Sequence, residues 1–239
     1  MGWQKDYLAR FYNPAKGWTD GTSEFHELCR RYIRPSGRIL EVGAGATNPT
    51  SEFLATLGEL HGIDPDPHVL KNQALAHGAV LDGDAYPYPG EHFDACVTNY
   101  VCEHLADPLG HLREVRRVLR PGGVYILRTP NWFHYTSLIS SATPHWVHSL
   151  LSSRLRNISC EEHELFPTHY RLNTSAALRR MATEAALLPE HVRMVEKEPS
   201  YGMSARPLFL LFMTYERVLN STEYLRGLRA NLFAVLRRP

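Results

Sequence analysis

The chain has 239 residues, 44% apolar and 21% charged, which suits one large α/β domain with an insertion or two small domains. Lysine plus arginine (26) nearly balance aspartate plus glutamate (25), so no overall field favours nucleic acid or an acidic surface. The stretch Met1-Gly2-Trp3-Gln4-Lys5-Asp6-Tyr7 has no apolar run of signal-peptide type, and the greasiest segment, Pro207 to Tyr215, is far shorter than the ~20 residues of a membrane span.

Cys29, Cys96, Cys102 and Cys160 make no C-x-x-C pair, so buried free thiols in a reducing cytoplasm are expected. Of thirteen histidines, only His163 and His169 frame a local cluster, with Glu161, Glu162 and Glu164. Without an i/i+4 pair on a helix, that cluster reads as a solvated loop, and no metal is expected.

In chain order, Arg38 to Val42 is a short apolar run ending in glycine, the pattern of a buried strand. Asn48-Pro49 opens a helix with a capping side chain and proline at the first position; Phe53, Leu54 and Leu57 face inward and Gly58 closes it. Glu59 to Asp64 is the second strand, Val69 to Ala76 a second helix ended by His77-Gly78, Ala79 to Leu81 the third strand and Phe93 to Thr98 the fourth. Asp107-Pro108 starts the best helix, with Leu109, Leu112, Val115, Val118 and Leu119 as its apolar stripe and Arg113, Glu114, Arg116, Arg117 and Arg120 solvated. Pro121-Gly122-Gly123 stops it, and Val124 to Leu127 is the fifth strand. This alternation implies right-handed βαβ units and a mostly parallel sheet.

The period then breaks. Asn131 to Leu172 is rich in aromatics and histidine, among them Trp132, Phe133, His134, Tyr135, His145, Trp146, His148, Phe166, His169 and Tyr170, and reads as a binding insertion. An amphipathic helix follows over Thr174 to Leu187, a strand over His191 to Glu196, a helix over Arg206 to Leu228 and a last strand over Asn231 to Leu236.

Glu41-Val42-Gly43-Ala44-Gly45 sits where the first strand ends. Glycine there admits a ligand to the backbone beside the positive end of the next helix, and open α/β sheets bind ligands at that edge. Asp64, ending the second strand, can accept both hydroxyl protons of a ribose, which fits a nicotinamide dinucleotide or S-adenosylmethionine. Glu41 places a carboxylate where a pyrophosphate would be repelled and an ammonium welcomed. Asn48 stands where the dinucleotide fingerprint wants glycine or alanine. Asp84, after the third strand, can accept from an adenine amino group. These three residues favour S-adenosylmethionine.

From about Gly37 to Thr129 the chain resembles the class I S-adenosylmethionine-dependent methyltransferases of the type 11, small-molecule group. The resemblance rests on Glu41-Val42-Gly43-Ala44-Gly45, Gly62-Ile63-Asp64, Gly83-Asp84-Ala85, Phe93-Asp94, Glu103-His104-Leu105 and Leu119-Arg120-Pro121-Gly122-Gly123. It implies a Rossmann-like α/β fold whose mostly parallel sheet ends in an antiparallel strand. It also implies a cofactor set in which Glu41, Gly43, Ala44 and Gly45 cradle the methionine part and Asp64, with Pro65, holds the ribose. Asp84 and Ala85 would flank the adenine, and Asn99 with Tyr100 would stand near the sulfonium. For Val42 and Ala44, packing alone is the stronger expectation. Thr47 replaces a glycine common in the group, so the turn into the first helix is expected to differ.

By the same resemblance, residues 1–36 form an N-terminal arm over the cofactor, 37–130 the cofactor-binding core, 131–172 an acceptor-binding insertion, and 173–239 the completion of the core with a helical insertion, in a single domain overall. An oxygen acceptor needs a base, and His104 is the first candidate, with a loop-fixing role the even alternative; Glu103 reads as a helix-start carboxylate. Tyr12, Trp18, Trp132, His134, Tyr135, His169 and Tyr170 are the expected acceptor-binding side chains, with ordinary packing the stronger expectation for Tyr12 and Trp18. The absence of Asn/Asp-Pro-Pro-Tyr after the fourth strand and of a Pro-Cys pair argues against nucleic acid. Phe166 to Thr174 and Glu198-Pro199-Ser200-Tyr201 resemble enzymes of glycan or natural-product pathways. The expected activity is O-methylation of a glycan, polyol or natural-product intermediate, with membrane contact peripheral at most and the oligomeric state open. The alternatives are a non-catalytic S-adenosylmethionine-binding partner protein and, below it, methylation of carbon or nitrogen in a quinone or amine, or of a nucleic acid.

Overall fold

In a computed structural model, residues 2–142, 166–197, 199 and 205–239 are described. Strands β1 (Gly37–Val42), β2 (Gly58–Asp64), β3 (His77–Val80), β4 (Phe93–Asn99), β5 (Leu119–Pro130), β6 (Leu188–Val195) and β7 (Asn231–Arg237) make one sheet in the order β3-β2-β1-β4-β5-β7-β6. Helices α1 (Gly2–Phe11), α2 (Gly21–Tyr32), α3 (Pro49–Ala55), α4 (Pro108–Val118), α5 (Tyr135–Ala142), α6 (Ser175–Glu184) and α7 (Arg206–Asn220) accompany it.

β1 pairs in parallel with β2 and β4, and the ladder continues in parallel to β3 and β5. At one end of β7, Arg238 exchanges backbone hydrogen bonds with Gly122 and Gly123; at the other, Asn131 donates to Ala230. One strand counts up while the other counts down, so β7 runs antiparallel to β5, as the resemblance implies. Ile39, Leu40, Leu60, Ile63, Ala95, Val97, Ile126 and Leu127 are buried, the continuous apolar strands of a sheet covered on both faces. Of the four cysteines, Cys29, Cys96 and Cys102 are buried free thiols; Cys160 lies outside the described residues.

Local chemistry explains most boundaries and four differences from expectation. The Asn48 and Asp107 side chains cap α3 and α4 through the Thr50, Ser51 and Gly110 amides, each helix with proline in its first turn. α3 ends at Ala55, where the Thr56 amide and hydroxyl bond back to Phe53, so Gly58 opens β2 instead of closing the helix. The helix expected over Val69 to Ala76 is only a 3₁₀ turn, Pro67–Lys71, because Asn72 turns extended and sends its side chain into the glycine loop; His77-Gly78 then begins β3. Pro121-Gly122-Gly123 does not stop α4, which ends at Val118. Opposite β4, the register moves from Leu119 to Val124 while β4 advances only from Phe93 to Ala95, so Arg120 to Gly123 form a bulge inside β5. The C-terminal helix ends at Asn220, and Thr222 caps a separate 3₁₀ turn, Glu223–Leu228.

The chain divides into two compact units. One comprises Met1–Glu24, Asn131–Pro167 and Met194–Asn231; the other comprises Phe25–Pro130, Thr168–Arg193 and Leu232–Pro239. In the second, β1 lies between β2 and β4, so chain order reverses there and the turns after β1, β2 and β4 converge at one edge of the sheet.

Candidate functional site

The turn after β1 is held from three sides. Gly43 and Gly45 have φ of +79° and +50°, values that L side chains rarely adopt, and a Cβ on Gly43 would lie 2.2 Å from Val101 Cγ2. Gly43 N donates to Ile63 O at 2.8 Å and Gly45 N to Asp64 Oδ2 at 2.9 Å, which ties the loop to the end of β2. A Cβ on Gly45 would meet only Asp64 Oδ2, at 3.9 Å, so this stretch of backbone borders open space. Asn48 Nδ2 donates to Ala44 O and Ala46 O, and buried Asn72 Nδ2 reaches Ala44 O, Gly45 O and Ala46 O at 3.3 Å. Thr47, the departure from the group's glycine, accepts from Gln73 N at 2.9 Å. The turn is therefore clamped by the side chains of Thr47, Asn48 and Asn72.

Two buried carboxylates flank it. Glu41 receives the Ser51 hydroxyl at 2.6 Å, and that hydroxyl in turn accepts from Asn48 and Asn72. Burial, opposed by the Ser51 hydrogen bond and helped by the charge of Asp64, raises Glu41 to about 7. Asp64 accepts from Gly45 N on one oxygen and from Asp66 N on the other, and burial raises its pKa as well. A carboxylate offers roughly four acceptor sites, so two remain, enough for two hydroxyls. Sequence reasoning missed Ser51 and Asn72. Ser51, on the first turn of the capped helix, had a signal; Asn72 had none.

At the end of β4, Asn99 Nδ2 donates to Thr50 Oγ1 at 3.1 Å while its Oδ1 is buried with no hydrogen-bond partner. Tyr100 takes a φ of +59°, and the Arg128 guanidinium lies 4.5 Å from its ring centre. His104 is half-buried in the 3₁₀ turn Cys102–His104, its amide bonded to Val101 O. Glu103, expected as a helix-start carboxylate, is in the first turn of that element but buried. Its carboxylate accepts from the Thr129 hydroxyl at 3.0 Å, Thr129 accepts from Asn173, and burial raises Glu103 to about 7. The Glu103 carbonyl receives the amides of His169 and Tyr170, which brings these two expected acceptor residues beside the His104 turn. His169 is exposed and Tyr170 half-buried with φ +52°.

Asp84, Ala85 and Pro65 are exposed in the turns after β3 and β2. The next residue, Tyr86, is buried and starts a polar chain through the core: its hydroxyl meets His111 Nδ1, His111 Nε2 meets the Tyr125 hydroxyl, and that hydroxyl meets Thr98 Oγ1, each at 2.8 Å. Burial lowers His111 to about 4, so it is neutral and bridges two phenols. Asp94 holds the sheet together, accepting from Arg38 N and the Arg120 guanidinium. Arg117, expected on a solvated face, instead grips Tyr86 O and Tyr88 O.

The remaining acceptor residues belong to the first unit. Tyr12 is buried, its hydroxyl donating to Glu216 at 2.9 Å and its ring meeting Trp18 edge-on, with centroids 5.5 Å apart. Trp132 is half-buried. His134 is buried 3.5 Å from Glu196 and lowered by burial to about 4, and Tyr135 stacks on Phe212 at 5.1 Å. Cys160, the glutamates 161, 162 and 164, His145, Trp146, His148, His163, Glu198, Ser200 and Tyr201 lie outside the described residues. No described helix is long and apolar enough to cross a membrane.

Residues 40–127 match a family model described as a methyltransferase domain. The ubiquinone biosynthesis O-methyltransferase of Cereibacter sphaeroides is 38% identical over 103 residues, which are 39% of this chain and only 41% of that protein. An uncharacterised methyltransferase of Schizosaccharomyces pombe is 26% identical over 214 residues, 82% of this chain and 72% of that protein. The crystal structure of an S-adenosylmethionine-dependent methyltransferase from Mesorhizobium loti shares the fold, with a TM-score of 0.59 at 16% identity, covering 89% of this chain and 96% of that one. Residues 40–127 are thus similar to a methyltransferase domain, and the chain shares the fold of S-adenosylmethionine-dependent methyltransferases.

Proposed function

We propose that the chain transfers a methyl group from S-adenosylmethionine to an oxygen of a small molecule: a glycan, a polyol or a natural-product intermediate. The observation that carries the cofactor part is the pair of buried carboxylates, Glu41 and Asp64, on either side of a glycine turn bordered by open space. They complement an ammonium and a ribose, and the buried, unpartnered Asn99 Oδ1 is a further acceptor at the same edge. When bound, the cofactor supplies an electrophilic methyl on a sulfonium.

Glu41, oriented by Ser51, pairs with the amino group. Asp64 accepts the ribose hydroxyls with its two remaining sites, and Gly43, Ala44, Gly45 and Pro65 form the surrounding wall. Asp84 and Ala85 border the adenine, and Asn99 and Tyr100 stand towards the reacting centre. His104 takes the proton from the acceptor hydroxyl as the new C–O bond forms, a role suited to a neutral imidazole near neutral pH. Positioning and exclusion of water provide the rest of the acceleration. His169 and Tyr170, whose amides bond the Glu103 carbonyl beside the His104 turn, contact the acceptor by stacking and hydrogen bonding. The O-methyltransferase name of the Cereibacter sphaeroides relative supports oxygen as the acceptor atom within the domain they share.

The test is turnover. Incubated with S-adenosylmethionine and a panel of sugars, polyols and phenols, the protein should release S-adenosylhomocysteine above background with at least one hydroxylated acceptor, and His104→Ala should lower that rate with little change in cofactor affinity. Tight cofactor binding with no turnover on any acceptor or on host extracts would instead support a non-catalytic binding partner.

A further inference from the structure

A second constellation sits on the sheet well away from the glycine turn. Glu59 and His61 are two residues apart on β2 and so share one face of the sheet, and the register sets His61 directly opposite His77 on edge strand β3. Five residues of strand, about 16 Å at ~3.3 Å per residue, separate Glu59 from Asp64. One donor atom from each of Glu59, His61 and His77 lies within 4.8 Å of the others, and the two imidazole centroids are 4.7 Å apart.

His61 is only 5% exposed, packed against the rings of Tyr88, His92 and Phe93. Its Nε2 lies 2.8 Å from Glu59 Oε1, while its Nδ1 is buried with no hydrogen-bond partner. Nε2, the ring nitrogen that faces Glu59, is therefore the one positioned to ligate. Glu59 and His77 are exposed, and Glu59 already reaches His61.

We propose that Glu59, His61 and His77 bind one divalent transition-metal ion, with zinc the best match to two imidazoles and a carboxylate. Bonds of ~2.0–2.1 Å at tetrahedral angles set donors about 3.3 Å apart, so binding needs only the two exposed side chains to close in. The ion displaces the Glu59–His61 hydrogen bond and leaves a fourth position to water. Arg38, 3.7 Å from the other Glu59 oxygen, competes for the carboxylate and limits the affinity. Bound there, the ion cross-links four-residue β3 to β2 and stabilises the edge of the sheet by mass action.

The full chain, stripped with chelator and freed of it, is titrated with zinc chloride by calorimetry and by thermal unfolding. The wild type should take up zinc at this site and unfold at a higher temperature, and cobalt at the same site should show visible d–d absorption. His77→Ala and Glu59→Gln, both at exposed positions and so able to fold, should weaken that uptake by at least about tenfold to a hundredfold, the range that loss of even an outer-shell partner produces. No uptake by the folded wild type, or uptake unchanged in stoichiometry and affinity in His77→Ala, overturns the proposal. The readout is independent of turnover and of cofactor binding.

Discussion

Asp64 has two tasks in one side chain: it pins Gly45 and Asp66 through backbone amides and keeps two acceptor sites open. Hydrogen bonds to charged groups are worth about 1.5–3 kcal/mol, so Asp64→Ala should weaken S-adenosylmethionine binding roughly tenfold to a hundredfold by calorimetry. Asp64→Asn, which keeps an oxygen for Gly45, should fall between; affinity equal to wild type in both variants would remove Asp64 from the cofactor site. Glu41, Gly43, Asp64 and Asn99 were legible in the sequence because each ends or follows a strand whose apolar run marks it. Ser51 and Asn72 act through Glu41 and the loop carbonyls, partners that adjacency in sequence does not reveal. Glu103 was visible as a residue, but its burial was not, since that depends on Thr129 and Asn173.

Between residues and the sheet, the elements show how the departure at Thr47 is absorbed. The 3₁₀ turn Pro67–Lys71 stops early, and Asn72 reaches back to three loop carbonyls and Ser51. Asn72→Ala leaves these groups without their donor, so it should lower unfolding stability by about 1–2 kcal/mol in urea and weaken cofactor binding as the loop loosens. Unchanged stability with unchanged binding would mean the clamp is incidental. Helix periodicity could not predict this break, because the tertiary partner of Asn72 outweighs the weak local propensity of the stretch. The Arg120 to Gly123 bulge has a similar origin. Its glycines read as a helix stop, yet they let β5 start early and realign with β4.

Across the whole molecule, buried ionisable groups set opposing pH dependences. Glu41 and Glu103 are raised from 4.5 to about 7, so the folded state holds their protons more tightly and their contribution to stability falls as pH rises from 4.5 to about 7. His111 and His134 are lowered from 6.5 to about 4, so the unfolded state takes up their protons and their contribution grows as pH rises from about 4 to 6.5. The pairs largely cancel between pH 4.5 and 6.5, and the clean measurement is a difference. Glu41→Gln should gain stability relative to wild type as pH rises through this window, levelling off above about 7; a difference constant with pH would contradict the raised pKa. An ammonium beside Glu41 favours its charged form, so cofactor affinity in the wild type should rise through the same range with proton release.

The sequence by itself determined the alternation of strands and helices, the parallel sheet, the capped starts of α3 and α4, and the acidic glycine turn after β1. These depend on periodicity, caps and strand ends, which act over a few residues. Only the tertiary structure decided that Asn72 and Ser51 support the turn, that Tyr86, His111, Tyr125 and Thr98 form one buried chain, and that His61 faces His77. Strand register and burial set those pairings, and both arise from contacts between residues far apart in the chain.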